Sequence, residues 1–140
     1  MFKNRRTIHI EWGDCDPAGI VYFPRYAEWF DVCTSSMIAA AGFPKSELTR
    51  TRGIVYPVVD TRTRFFLASR FGEEVVVETA VVRLGRSSFV VQHRLLKGDA
   101  LAVECTETRV WTRIDPFASP TLKSESIPDE VRQVLTAGGS

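Results

Sequence analysis

Gly13-Asp14-Cys15-Asp16-Pro17-Ala18-Gly19-Ile20-Val21-Tyr22-Phe23-Pro24 decides the reading of this chain, because a strand pattern stops there and the longest helix pattern begins. Upstream, Ile8, Ile10 and Trp12 alternate with His9 and Glu11, the period-two signature of a half-buried strand. The stretch then carries two carboxylates. Asp16 precedes a proline, which turns it away from helical dihedrals, and Gly13 and Gly19 supply backbone freedom. Pro24 suits the first position of a helix, where its missing N–H has no intrahelical partner to lose. Phe23, ahead of it, offers no side-chain oxygen as a cap, so the first-turn N–H groups are left for an anion or a developing oxyanion.

Downstream, Tyr26, Trp29, Phe30, Cys33, Met37, Ala40 and Ala41 share one side at 100° per residue, opposite Glu28, Asp31 and Ser35. The spacing predicts a helix over about Pro24 to Ala41, about 27 Å long, stopped by Gly42-Phe43-Pro44. Lys45 to Gly53 reads as a connection with a short helical turn. From Ile54 the chain becomes rich in β-branched and aromatic residues. Four strand runs follow: Val58 to Ala68, Val75 to Leu84, Phe89 to Lys97 and Ala102 to Ile114. The separators Gly72-Glu73, Gly85-Arg86 and Gly98-Asp99 favour hairpins and an antiparallel meander. Asp115 to Pro120 reads as a loop, Pro128 to Thr136 as a short helix, and Gly138-Gly139-Ser140 as a mobile end. One strand, one long helix and a meander make an α+β domain spanning residues 1–140, with the helix packed on one sheet face.

Composition bounds the function. The chain has 140 residues, 44% hydrophobic and 25% charged, as expected of one globular domain with a real core. A net charge of +1 from interspersed signs gives no field to hold nucleic acid or an anionic membrane. Neither partner is expected. Cys15, Cys33 and Cys105 lack metal or disulfide spacing, which fits a reducing, cytoplasmic compartment. Asp14-x-Asp16 opens like a calcium loop, but Ala18 and Arg25 stand where oxygen ligands are needed, so no metal is expected. His9 and His93 lie in strand patterns without a serine in a nucleophile-elbow context, which leaves a Ser-His-Asp hydrolase unsupported. Cys15 has no evident base and reads as packing.

A carboxylate close to a helix start with free donors suits acyl transfer, although aspartates beside Pro and Gly are also ordinary turn formers. On spacing alone the turn reading is the stronger. The run from Gly13 to Val21, with the aromatic pair, Pro24 and Tyr26 after it, resembles the signature of the 4-hydroxybenzoyl-CoA thioesterase family. The resemblance extends more loosely through the helix, the later strands and Ser88-Phe89-Val90. It implies a hot-dog fold, in which the sheet wraps the central helix, and hydrolysis of an acyl-CoA thioester. It further implies Asp16 as the catalytic carboxylate, nucleophile or general base, and the backbone N–H of Phe23 as the group that polarises the carbonyl. Phe23 stands where many bacterial relatives carry histidine and the 4-hydroxybenzoyl branch tyrosine. A backbone contribution tolerates that change, whereas a side-chain donor does not.

Gly19, Tyr22 and Asp31 are then implied as substrate-binding residues, with Asp31 contacting a polar acyl substituent across a subunit boundary. Arg83, Arg86, Ser87 and Ser88 read as a solvated hairpin tip; the resemblance places them near the nucleotide end of CoA. It also implies a homodimer, doubled into a tetramer, and no cofactor beyond the CoA of the substrate. A benzoyl-type acyl group leads and a short or medium aliphatic chain follows. Two other classes compete. A hot-dog dehydratase is opposed by the lack of histidine between Gly13 and Pro24, and a non-catalytic acyl-CoA binder is opposed by retention of Asp16.

Overall fold

The computed structural model describes residues 1–115, 117 and 121–137. The expected loop at Asp115 to Pro120 therefore lies largely outside the described residues, and the Gly138-Gly139-Ser140 end lies wholly outside them. Strand β1 (Lys3–His9) leads through the motif loop into helix α1 (Phe23–Ala40). A short turn α2 (Lys45–Glu47) and a π-helical turn (Leu48–Arg52) follow. Then come β2 (Ile54–Val55), β3 (Val58–Phe65), β4 (Glu74–Leu84), β5 (Ser88–Lys97), β6 (Ala100–Val110), β7 (Thr112–Ile114), β8 (Leu122–Ser124) and α3 (Asp129–Ala137).

The main sheet is antiparallel in the order β1-β4-β5-β6-β3, and β2-β7-β8 form a second, three-stranded sheet. The hairpins at Gly85-Arg86 and Gly98-Asp99 form as the separators predict. The expected hairpin at Gly72-Glu73 does not. Strand β3 pairs with β6 and β4 pairs with β1, so the connection between them crosses the sheet. Its hydrogen bonds explain why. Phe66 and Leu67 N–H both bond Ala102 O, carrying the chain on beside β6, while Gly72 N–H bonds Ile10 O and Ile10 N–H bonds Glu73 O. The glycine turn is thus tied to the end of β1. The pairings leave β3 at a sheet edge.

Trp12 corrects a second expectation. The strand ends at His9, because Asp14 Oδ2 accepts the Glu11 N–H at 2.9 Å and Asp14 N–H donates to Glu11 O, closing a 3-10 turn. Trp12 is thrown 75% exposed, edge-on to Phe71 at 5.6 Å. The helix stripe is also shifted: α1 buries Tyr26, Phe30, Cys33, Thr34, Met37 and Ile38, while Ala40 is exposed. The buried positions 26, 30, 33, 34, 37 and 38 recur every three to four residues, so the face takes in Thr34 and Ile38 and leaves Ala40 to solvent. Strands β2 and β8 were not expected, since two or three residues carry no readable period.

The core under α1 has two apolar parts. One gathers Met37, Ile38, Phe89, Val91, Trp111 and Leu135, the other Phe30, Cys33, Val75, Val77, Leu95 and Val103. Between them runs a buried polar layer of Thr34, Thr79, His93 and Glu107. Each fully buried aliphatic side chain contributes about 1.5–3 kcal/mol, and the polar layer is tolerable there because its members bond one another.

Candidate active site

The motif loop is built by turn chemistry. Gly19 N–H donates to Asp16 O at 2.9 Å, with Gly19 at φ +82°, a conformation that favours glycine. Asp16 Oδ1 accepts the Ala18 N–H at 2.9 Å, and Asp16 N–H bonds Ile20 O. The turn-forming role of Asp16 is therefore present. It occupies one carboxylate oxygen, and the other has no hydrogen-bond partner among the described residues.

Asp14 is more heavily committed. Its Oδ2 caps the Glu11 N–H, its Oδ1 lies 3.2 Å from Arg25 Nε, and its carbonyl accepts the Tyr22 N–H at 2.8 Å. Arg25 also reaches Gly13 O and Glu28, and the Glu28 hydrogen bond and charge, with a smaller contribution from the Asp14 charge, raise its guanidinium pKa. The loop is thus pinned to the first turn of α1.

That turn starts one residue earlier than Pro24 predicts. Tyr22 is the N-cap without a side-chain cap bond, Phe23 is the first helical residue and Pro24 the second. The Phe23 N–H has no partner among the described residues. It is an orphan donor beside the loop that carries Asp16.

From Phe23 an apolar slot of about 310 Å³ runs along α1, over Ala27 and Phe30 to Asp31, with β3 and β6 as the other wall. By helical rise Asp31 lies about 12 Å further along than Phe23. The β3–β6 register orders that wall: Phe65 against Val103, Thr63 against Cys105, Thr61 against Glu107, Val58 against Arg109. Phe23 is 68% exposed, its ring 5.7 Å from that of Phe65, and a neighbouring apolar groove continues over Ile20, Phe66 and Leu67. Tyr22 is exposed beside it.

The far end of the slot is polar. Arg109, buried, donates from Nη2 to Asp31 Oδ1 at 2.9 Å, from Nε to Glu107 Oε1 at 2.9 Å, and from Nη1 to Tyr56 O at 3.0 Å. Glu107 Oε1 also meets Thr34 Oγ1 and His93 Nε2, and His93 Nδ1 lies 2.9 Å from Thr79 Oγ1. Burial pushes the Glu107 carboxyl up, but the His93 and Arg109 contacts together outweigh it and hold the pKa at about 2. Glu107 is therefore anionic at neutral pH. Sequence reading singled out Asp31 and missed Glu107 and Arg109. The available signal was their parity: both fall on the inward positions that Val103 and Cys105 define on β6.

The remaining candidates are not brought here. Strand β4 starts at Glu74, opposite His9, and its length carries the β4–β5 hairpin about 33 Å away from the motif loop. There Arg86 Nη1 donates to Ser126 Oγ at 2.7 Å, Ser87 O accepts the Trp111 N–H, Ser88 O accepts the Gly85 N–H, and Arg83 is exposed. Within one chain these residues form a hairpin tip remote from Asp16. Among the described residues no helix is long and apolar enough to cross a membrane.

Residues 10–135 match the family model of the thioesterase-like superfamily. The chain is 35% identical over 113 residues to the 4-hydroxybenzoyl-CoA thioesterase of Pseudomonas sp. strain CBS-3, covering 76% of this chain and 80% of that one. Among solved structures, a 4-hydroxybenzoyl-CoA thioesterase variant complexed with 4-hydroxybenzoyl-CoA superimposes with a TM-score of 0.89 at 26% identity, over 96% of this chain and 99% of that one. A gentisyl-coenzyme A thioesterase gives 0.83 at 29% identity, over 92% and 99%. The fold they share with this chain is the hot-dog.

Proposed function

Because the chain belongs to the thioesterase-like superfamily, we propose that it is an acyl-CoA thioesterase acting on an aromatic acyl group of the 4-hydroxybenzoyl or benzoyl type. The observation that carries the reading is the orphan Phe23 N–H at the mouth of an apolar slot whose far end is the Asp31–Arg109 pair. An aromatic ring fills such a slot, the thioester oxygen takes the N–H, and a ring hydroxyl reaches Asp31 of the same chain, in place of the contact across a subunit boundary that the resemblance implies. The relatives named for hydroxylated aromatic acyl-CoAs support the same choice.

In this mechanism Asp16 supplies the carboxylate, attacking the carbonyl carbon or taking a proton from the water that does. The carbon–sulfur bond breaks and the thiolate leaves, taking up the proton released by water to become free CoA; where water attacks, the acyl group leaves directly as the acid, and where Asp16 attacks, water then hydrolyses the acyl–Asp16 anhydride, releasing the acid and restoring the carboxylate. Negative charge that builds on the carbonyl oxygen is stabilised by the Phe23 N–H and the positive end of the α1 dipole. The reaction conserves oxidation state and needs no redox cofactor.

The working unit is proposed as a homodimer of one-domain chains. Strand β3 is a sheet edge whose last residue, Phe65, lies in an exposed apolar patch with Phe23, Phe66 and Leu67, and an unpaired edge beside such a patch calls for a partner. A two-fold axis across that edge runs the two β3 strands antiparallel. The Val58 end of the second copy then meets the Phe65 end of the first. Val58 pairs with Arg109, next to the Val110–Ser88 pair, so the second copy's hairpin of Arg83, Arg86, Ser87 and Ser88 approaches the Phe23 mouth. CoA phosphates suit that hairpin.

Release of free thiol from 4-hydroxybenzoyl-CoA, benzoyl-CoA and octanoyl-CoA tests the reading. Faster turnover of the aromatic thioesters supports it. Faster turnover of octanoyl-CoA overturns the acyl assignment, and no thiol from any of them overturns hydrolysis.

A further inference from the structure

Asp31 is 53% exposed at its side chain and sits on a helix surface, yet one of its oxygens is bonded to a guanidinium that is 3% exposed. A flexible surface carboxylate gains little from an ordinary ion pair. This one is different in kind, because its partner is immobile. Arg109 uses three N–H groups, each directed to a separate element: Asp31 on α1, Glu107 on β6 itself, and the Tyr56 carbonyl ahead of β3. Glu107 is fixed in turn by Thr34 on α1 and by His93 on β5. The His93 ring is held by Thr79 on β4 and stacks on Phe30 at 4.9 Å.

We propose that Arg109 is a positioning residue for acyl selection, locking the Asp31 carboxylate so that its second oxygen accepts a hydroxyl at the far end of the acyl group. The inference rests on the thioesterase reading for the orientation of the acyl group, and it goes beyond that reading in assigning the selectivity to Arg109. Three features of the slot support it. Asp31's second oxygen has no hydrogen-bond partner among the described residues. Arg109 and Asp31 share one carboxylate oxygen only, so the other faces the slot as an acceptor, which favours a donor and repels a carboxylate. The chain of contacts ends in a close-packed core, so Asp31 is ordered before substrate arrives, and the hydrogen bond to substrate costs less side-chain entropy.

The test separates binding from turnover by using 4-hydroxyphenacyl-CoA and phenacyl-CoA, thioethers that keep the ketone and cannot be hydrolysed. Calorimetry on the parent is expected to show the hydroxylated analogue bound at least about tenfold more tightly. In Arg109→Lys that preference falls to about threefold or less, while the Kd of phenacyl-CoA stays within about threefold. The double variant Arg109→Gln/Glu107→Gln removes both buried charges together and so guards against failure to fold; the same loss of preference is expected. Asp31→Asn loses it too, and adding Asp31→Asn to Arg109→Lys produces no further loss. Equal weakening of both analogues in the Arg109 variants, additive losses in the combined variant, or no preference in the parent would each overturn the proposal. If the parent shows the preference and its loss in the variants but hydrolyses no thioester, the selectivity assignment stands and the catalytic reading falls.

Discussion

Asp14 Oδ1 lies 3.2 Å from Arg25 Nε, and this pairing divides the labour between the two aspartates of the motif. Asp14 joins the loop to α1, with its other oxygen capping Glu11 N–H. Asp16, two residues on, keeps one oxygen without a partner among the described residues.

Asp14→Ala removes both contacts. The lost cap on Glu11 costs about 1 kcal/mol, and the loop loses its register on the helix. Urea unfolding is expected to show a lowered midpoint, with a fall in turnover, whereas Asp16→Asn leaves the midpoint unchanged within error.

If the oxyanion donor is the backbone N–H of residue 23, then replacing Phe23 by proline deletes it while keeping helical geometry, since proline is favoured at the first helical position. Tyr22, at φ −66° and ψ 127°, already has the conformation that a residue before proline adopts. Phe23→Pro is expected to lower kcat about 10²–10³-fold relative to a Phe23→Ala control, which removes the ring but retains the N–H. Phe23→Tyr is expected to leave kcat within about threefold.

Glu107 links stability to acid. Its folded pKa of about 2 is below its ordinary value, so the stability it contributes is fully present above about pH 4.5. It is lost as the pH falls through about 2. The amount is about 3 kcal/mol. Urea midpoints measured between pH 5 and 2 are expected to fall steeply for the parent and more gently for Glu107→Gln.

The thiols differ in reach. Burial pushes Cys33 up to about 11 and raises Cys105 as well, while Cys15 is only half-buried in the motif loop. Brief iodoacetamide treatment of the folded protein at pH 7.5, read by mass spectrometry, is expected to label Cys15 first. Cys33 and Cys105 are expected to react only on unfolding.

Much of the fold was legible because long elements carry long periods. Helix α1 and the hairpins β4–β5 and β5–β6 follow from apolar spacing and glycine separators. Glycine separators alone put β3 beside β4, whereas its pairing with β6 depends on the Phe66–Leu67 bonds to Ala102 O and the tie of Gly72 to Ile10, which no local pattern encodes. The motif loop was readable as turn plus helix start. The far end of the slot was not: Arg109 and Glu107 look like alternating charges on a strand, and only the β3–β6 register and the passage of α1 over it bring them to Asp31.

In the proposed reaction everything turns on Asp16 as the source of the reacting carboxylate. The most direct measurement is single-turnover hydrolysis of 4-hydroxybenzoyl-CoA by the parent, Asp16→Asn and Asp14→Asn, with the Kd of 4-hydroxyphenacyl-CoA measured on each. Asparagine keeps the Asp16 turn contact to Ala18 N–H and removes only the charge. A loss of at least about 10³-fold in the chemical step is expected for Asp16→Asn with little change in Kd, and a smaller loss for Asp14→Asn. Hydrolysis by Asp16→Asn at a rate near that of the parent would contradict it.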